Sequence, residues 1–212
     1  MALHNRDIVL QSRAALQGKW GLAMGATVLY WILAVALSFI PYMGVVFNCL
    51  VGGPARTGIA SFYLKLSRNS APEIADVFSG FSNFFNALIA YLLYGLFVIL
   101  WMLLLIVPGI IAMLTYSQVF YILADNPETS GPQALRLSRE MMTGFRWKLF
   151  CLQCRYIGWV LLGFITLGIG FLWVMPMIYT ALARFHDDVK AEYQAKTSLS
   201  FSGDSAGLAA TV

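Results

Sequence analysis

Charge is the scarcest thing in this sequence. Lys, Arg, Asp and Glu make up 11% of its 212 residues, against about 25% in an ordinary soluble domain. Forty-eight consecutive positions, Val77 to Ala124, carry no charged side chain, and neither do Trp20–Ala55 or Tyr156–Ala183. A helix needs about 20 apolar residues to cross a hydrocarbon layer of roughly 30 Å, so runs of this length exclude a soluble fold. "LLLIVPGIIAML" (103–114) has no alternation of polar and apolar residues, which excludes a transmembrane β-barrel. Only three cysteines occur, Cys49, Cys151 and Cys154, too few for an extracellular disulfide framework. Histidine occurs twice, no carboxylate lies within a charge-free run, and H-E-x-x-H, G-x-S-x-G and Walker patterns are missing. The common hydrolytic and nucleotide-using chemistries therefore have no residues to run on. Arg6, Asp7, Arg13 and Lys19 precede the first long run without a small-residue cleavage site, so the start does not read as a cleavable signal.

Apolar residues are abundant, at 59%, and they are interrupted at intervals. Each long run has a Pro or Gly cluster near its middle: "FIPYMG" (39–44), "IVPGI" (106–110) and "TLGIG" (166–170). Turns there give six predicted spans at about 20–40, 43–66, 84–107, 109–124, 148–166 and 168–186, an all-α polytopic membrane fold of three hairpins, with a five-span fold having one tilted helix over the last run as the alternative. One helix over the whole middle run would be about 72 Å long, so that run must fold back, and Pro108-Gly109 is the expected tip. Every Lys and Arg then lies on one side or in the adjoining half of a span. The positive-inside rule makes that side the cytoplasm, with both termini there.

A short amphipathic segment precedes each hairpin. "SAPEIADVFSGF" (70–81) and "SGPQALRLSREMMTGF" (130–145) both open S-x-P-[E/Q] and close on Gly-Phe. Ser70 with Glu73 and Ser130 with Gln133 have capping-box spacing, and Pro72 and Pro132 suit a first helical turn. Interfacial helices are predicted over about 72–82 and 131–143. Their apolar stripes are Ile74, Val77, Phe78, Phe81 and Phe85 in one, and Ala134, Leu137, Met141 and Met142 in the other. The segment 1–19 is a looser third member, with Val9 and Leu16 opposite Arg6, Arg13 and Gln17. The membrane domain 20–186 thus reads as part of a threefold unit of cytoplasmic amphipathic helix, Gly-aromatic bend and hairpin. The cytoplasmic tail 187–212 is expected to be a short helix to about Lys196 and largely disordered beyond it.

"RAALQGKWGLAM", "GPARTGIASFYLKLSR", "FSGF", "WMLLLIVPGIIAMLTYS" with "YILADNP", and "IGWVLLGFITLGIGFLWVMP" follow one another in this order. Together, over about residues 13–188, they resemble an uncharacterised, domain-of-unknown-function family of small bacterial polytopic membrane proteins. That family is loosely similar to the membrane domain of some glycerophosphodiester phosphodiesterases. The chain departs from the pattern at Gln118 and Met177 and in its tail. The resemblance implies a bacterial cytoplasmic membrane and brings no activity, cofactor or catalytic residue.

Arg56 is the sharpest candidate for a site. It follows Gly52-Gly53-Pro54, which is expected to break the second span so that Pro54 starts a new half-helix. Such a half-helix end binds anions in broken-helix transporters. Arg155 is expected to reach the same depth, and a phosphate or lipid headgroup would satisfy both. The alternative is a kinked helix whose Arg56 and Arg155 snorkel to the interface. Cys151 and Cys154 share a helix face near His186, the one metal alternative to ordinary packing. Asp125-Asn126-Pro127 reads as the end of the fourth span. Arg136, Arg139, Arg146 and Lys148 form a basic membrane-surface patch for anionic lipid, and no recognition fold accompanies them to suggest nucleic acid. The expected role is non-enzymatic, without cofactor: lipid interaction, or service as an accessory subunit with membrane-protein or self-association partners. A small transporter or channel working at the broken span is the alternative.

Overall fold

A computed structural model describes residues 4–38, 43–166 and 168–209. Among them the secondary structure is entirely helical. The first unit is α1 (Asn5–Leu16), α2 (Trp20–Ser38) and α3 (Met43–Ser67). The second is a 3₁₀ helix (Ile74–Phe81), α4 (Phe84–Leu104), α5 (Ile106–Thr115) and α6 (Val119–Asp125). The third is α7 (Gly131–Met141), α8 (Arg146–Ile165) and α9 (Phe171–Ala209). A short amphipathic helix followed by two long arms therefore occurs three times. Each pair of arms is tied near its charged end: Thr27 and Tyr63 hydroxyls meet at 2.6 Å, Asn83 donates to the Pro127 carbonyl, and Lys148 pairs with Asp188 at 2.6 Å. Phe84–Leu104, Ile106–Asp125 and Arg146–Ile165 are long and apolar enough to cross a membrane, and α2 adds a shorter apolar helix over Trp20–Leu33.

The middle run folds back as expected, but three residues earlier. Leu105 is extended (φ −162°, ψ 143°) and Pro108 enters the first turn of α5. An amide missing there is no loss, because first-turn N–H groups lack helical partners. Gly109 serves a different purpose: a Cβ on it would lie 3.0 Å from Met102 Cα, so it lets α4 and α5 approach. The third turn bends at Gly168 (φ +94°), within the expected segment. Of the first expected turn, 39–44, residues 39–42 lie outside the described residues, and Met43 and Gly44 already belong to α3.

The expected break in the second span does not exist. Helix α3 is continuous from Met43 to Ser67 with Pro54 inside it. Its glycines act as contact surfaces instead. A Cβ would stand 2.8 Å from the Ala87 carbonyl carbon at Gly53, and 2.6 Å from that of Val77 at Gly58. On the facing 3₁₀ helix, a Cβ at Gly80 would stand 2.7 Å from the Gly58 nitrogen. The 3₁₀ helix and the start of α4 thus lie backbone to backbone on α3, bracing it on both sides of Pro54.

The amphipathic segments also depart from expectation. The box of Ser130 and Gln133 forms, but in the second unit it is shifted, with Glu73 as N-cap and Asp76 accepting the Glu73 amide at 2.9 Å. Pro72 therefore precedes the helix. The apolar faces of α1 and α7 do not lie free for a membrane surface. Ile8 and Leu16 of α1, and Ala134, Leu135 and Met141 of α7, are buried in the core with Phe62, Leu66, Ile122, Leu149 and Phe185. Ser138 donates to the Thr115 carbonyl at 2.8 Å, which turns α7 inward by satisfying a backbone group opened where α5 ends. Only the 3₁₀ segment keeps an exposed stripe, at Ile74, Phe78, Phe81 and Phe85. Finally, α9 does not stop near Lys196 but runs to Ala209; as far as Tyr193 its apolar face is held by Phe185, Val189 and Tyr193 at helical spacing against the core.

Candidate functional site

Helical spacing sorts the side chains of α8 into two faces. Leu149, Leu152 and Tyr156, at i, i+3 and i+7, are buried, while Cys151, Cys154 and Arg155 are exposed. This separates the residues the sequence grouped. Arg155 lines a surface recess of about 790 Å³ with His4, Trp147, Cys151 and Cys154. Arg56 points into a different cavity, so the two arginines do not converge. His186 is fully buried elsewhere, so it does not join the cysteines, and among the described residues no His, Cys, Asp or Glu group is placed to hold a metal. The basic patch also divides. Arg136 and Arg139 are exposed, but Lys148 is mostly buried and neutralised by Asp188 at 2.6 Å.

The Arg56 cavity has a volume of about 370 Å³ and lies between all three hairpins. Tyr30 of α2, Arg56 of α3, Tyr94 of α4, Met113 of α5, Gln153 of α8 and Tyr179 of α9 each contribute a wall. Arg56 sits 11 residues before the end of α3, about 16 Å along its axis. Its guanidinium carbon lies 5.1 Å from the Tyr91 ring centre, 5.5 Å from Phe120 and 5.9 Å from Tyr94. Arg56 is half-buried, so each such contact contributes between about 0.5 and 2 kcal/mol. Among the described residues no carboxylate pairs with it: the ion pairs belong to Lys65, Arg68, Arg136, Lys148, His186 and Lys190. Gly52 and Gly53 are not part of this cavity, being covered by Tyr91 and Ala87.

A second polar centre was not legible in the sequence. Asp125, at the end of α6, accepts both guanidinium nitrogens of Arg68 (2.6 and 2.9 Å) and the Lys190 ammonium at 2.6 Å. Arg68 also donates to Asp187 at 2.5 Å. Its hydrogen bonds to Asp125, and after them those to Asp187, push the guanidinium pKa above its ordinary value despite desolvation. His186 Nε2 lies 3.4 Å from Asp125, within ionic reach but without hydrogen-bond geometry. Its Nδ1 meets Gln118 Oε1 at 3.2 Å, and its ring stacks on Tyr121. Gln118, a departure from the family pattern, is thus fully buried for a polar reason. The signal was positional: Arg68, Asp125 and Asp187 each stand just past a predicted returning span (43–66, 109–124 and 168–186).

Fold and site together define a helical protein with membrane-length apolar helices and a cationic, aromatic-walled cavity among them. The chain belongs to the DUF975 family of proteins of unknown function, whose pattern matches residues 1–114 and 102–193. Comparison with curated proteins and with solved structures gives no match, so the likeness to a phosphodiesterase membrane domain gains no support.

Proposed function

We propose that the protein is a non-enzymatic, six-span protein of the bacterial cytoplasmic membrane, with both termini cytoplasmic, and that it holds the oxyanion head of a membrane amphiphile at Arg56. The observation that carries this is a guanidinium inside a cavity with three aromatic rings and, among the described residues, no carboxylate paired with it. Intramembrane cations that face a bundle interior mark ligand sites more often than they mark structure. The Tyr94 phenol oxygen accepts from one side of the guanidinium, while ring faces accept hydrogen bonds poorly, so the remaining N–H groups are left for a carboxylate or phosphate. Three repeats of the same element order support the six spans, as do arms of about 30 Å. The transport version of this reading loses its half-helix end, because α3 is continuous.

The test is purification in mild detergent followed by mass spectrometry of retained lipid. Wild type is expected to retain an anionic amphiphile, Arg56→Lys to retain part of it, and Arg56→Gln to lose it. Equal retention by Arg56→Gln, or retention of uncharged lipid alone, would sink the reading. The accessory-subunit reading rests on the exposed Ile74, Phe78, Phe81 and Phe85 stripe. Copurification of another membrane protein, lost on Phe78→Ser with Phe81→Ser, is its test.

A further inference from the structure

We infer that the anion held at Arg56 carries a single alkyl chain, which lies in a slot between α8 and α9 and reaches the site sideways from the bilayer. This rests on reading Arg56 as the head-group site.

The Arg56 cavity shares two wall residues, Gln153 and Leu182, with a second cavity of about 270 Å³. By itself that slot falls below the roughly 300–1,000 Å³ of a ligand pocket, which suits an annex to the first. Its walls come from two neighbouring helices, with Leu152, Tyr156 and Val160 on α8 facing Ile178, Ala181 and Leu182 on α9. Apart from Gln153, which stands at the junction, and the Tyr156 hydroxyl, the lining is apolar. Polarity thus falls along the path, from guanidinium to amide to aliphatic wall.

The slot's rim is also informative. Ile157 and Leu161, one helical turn apart on α8, are 53% and 57% exposed. They stand on an apolar face inside a helix long and apolar enough to cross a membrane. A chain leaving the slot there meets lipid rather than water. The ligand class is therefore an oxyanion on one alkyl chain, such as a fatty carboxylate or a monoalkyl phosphate. A two-chain lipid would have to leave one chain outside a slot bounded by a single pair of helices.

The experiment uses the full-length protein in a nonionic detergent and measures affinity for butyl, octyl and dodecyl phosphate, laurate and inorganic phosphate. Partition of a ligand into micelles is common to all variants and cancels when each variant's dodecyl-to-butyl affinity ratio is compared with that of wild type. Wild type should bind dodecyl phosphate and laurate at least tenfold more tightly than butyl or inorganic phosphate. Val160→Phe and, independently, Ile178→Phe fill the slot, and should bring the ratio down to threefold or less while butyl phosphate still binds. Arg56→Gln should bind none of the anions. If butyl phosphate binds through Arg56 but chain length has no effect, or both slot variants keep the full ratio, the chain inference fails and the head-group reading stands. If inorganic phosphate binds as tightly as dodecyl phosphate, the ligand is a free anion and the inference is overturned. If no anion binds wild type, both readings fall together.

Discussion

Substituting Gly58 by alanine separates the two meanings the glycines of α3 can have. A glycine that merely loosens a helix for a half-helix site should accept alanine and gain from it, by up to about 1 kcal/mol of helix propensity. A glycine that lets two backbones touch should not. At Gly58 the added Cβ would lie 2.6 Å from the Val77 carbonyl carbon. Unstrained carbon–carbon contact needs about 3.5 Å, and the Val77 carbonyl oxygen lies nearer still, so the 3₁₀ helix must retreat by more than about 1 Å. Its carbonyl has no rotamer by which to escape, and Val77 beside it is 1% exposed. Overpacking of this kind costs about 1–3 kcal/mol, and a rigid backbone neighbour puts Gly58→Ala near the top of that range. For a chain of 150–250 residues each kcal/mol shifts Tm by about 2–4 °C, so the melting point should fall by about 6–12 °C. Gly95→Ala on α4 is the control, since nothing lies within 4 Å of its Cβ position, and its Tm should hold or rise. The readout is the monodisperse fraction left after heating in detergent. Equal shifts for the two variants, or a rise for Gly58→Ala, would refute the backbone-contact account.

Asp125→Asn removes the counter-ion shared by Arg68 and Lys190. Breaking a fully buried pair costs about 3–5 kcal/mol. With Arg68 39% and Lys190 32% exposed, solvent screening lowers the expected loss to about 2 kcal/mol, read as a Tm drop of about 4–8 °C. Single cysteines at Asn69 and Glu128 should react with an impermeant maleimide from one side of the membrane, and one at Ile169 from the other; labelling of all three from one side refutes the hairpins. Cys151→Ser with Cys154→Ser should leave bound metal and Tm unchanged, because both side chains are exposed; loss of a bound metal ion would restore the metal alternative.

Long patterns were legible in the sequence and close contacts were not. Charge-free runs and their Pro-Gly interruptions are one-dimensional signals, so three hairpins with an amphipathic prelude could be read from them. The Leu105 turn was missed because Pro108 is at home in a first helical turn as well as between helices. Gly52-Gly53-Pro54 misled for a related reason. Glycine marks both a weak helix and a close approach, and only the positions of Ala87 and Val77 decide between them. The apolar stripes of α1 and α7 were legible in part, without Ile8 and Leu135 and with the only half-buried Leu137, and an amphipathic face does not say whether lipid or protein will cover it. Arg56 stands out in the sequence because it is an uncompensated charge beside an apolar run. Its aromatic surroundings, drawn from Tyr91, Tyr94 and Phe120, exist only once the second hairpin has packed on the first.

The Asp125 centre has a consequence for the order in which the molecule is made. Its carboxylate belongs to the second hairpin, Arg68 to the first, and Lys190 lies 65 residues further on in the third. At about 5–20 residues per second, a growing chain carries Asp125 for roughly 3–13 seconds before Lys190 is synthesised. During that interval Arg68 can neutralise it, and the two earlier hairpins are joined by that pair, by Lys65–Asp76 and by the glycine contacts of α3. Helix α9 then delivers Lys190, His186 and Asp187 to the same point. The third hairpin is therefore the one that completes a charge cluster begun by the first two, and a chain cut short before Phe185 would keep the Arg68–Asp125 pair but lack Lys190, His186 and Asp187 around it.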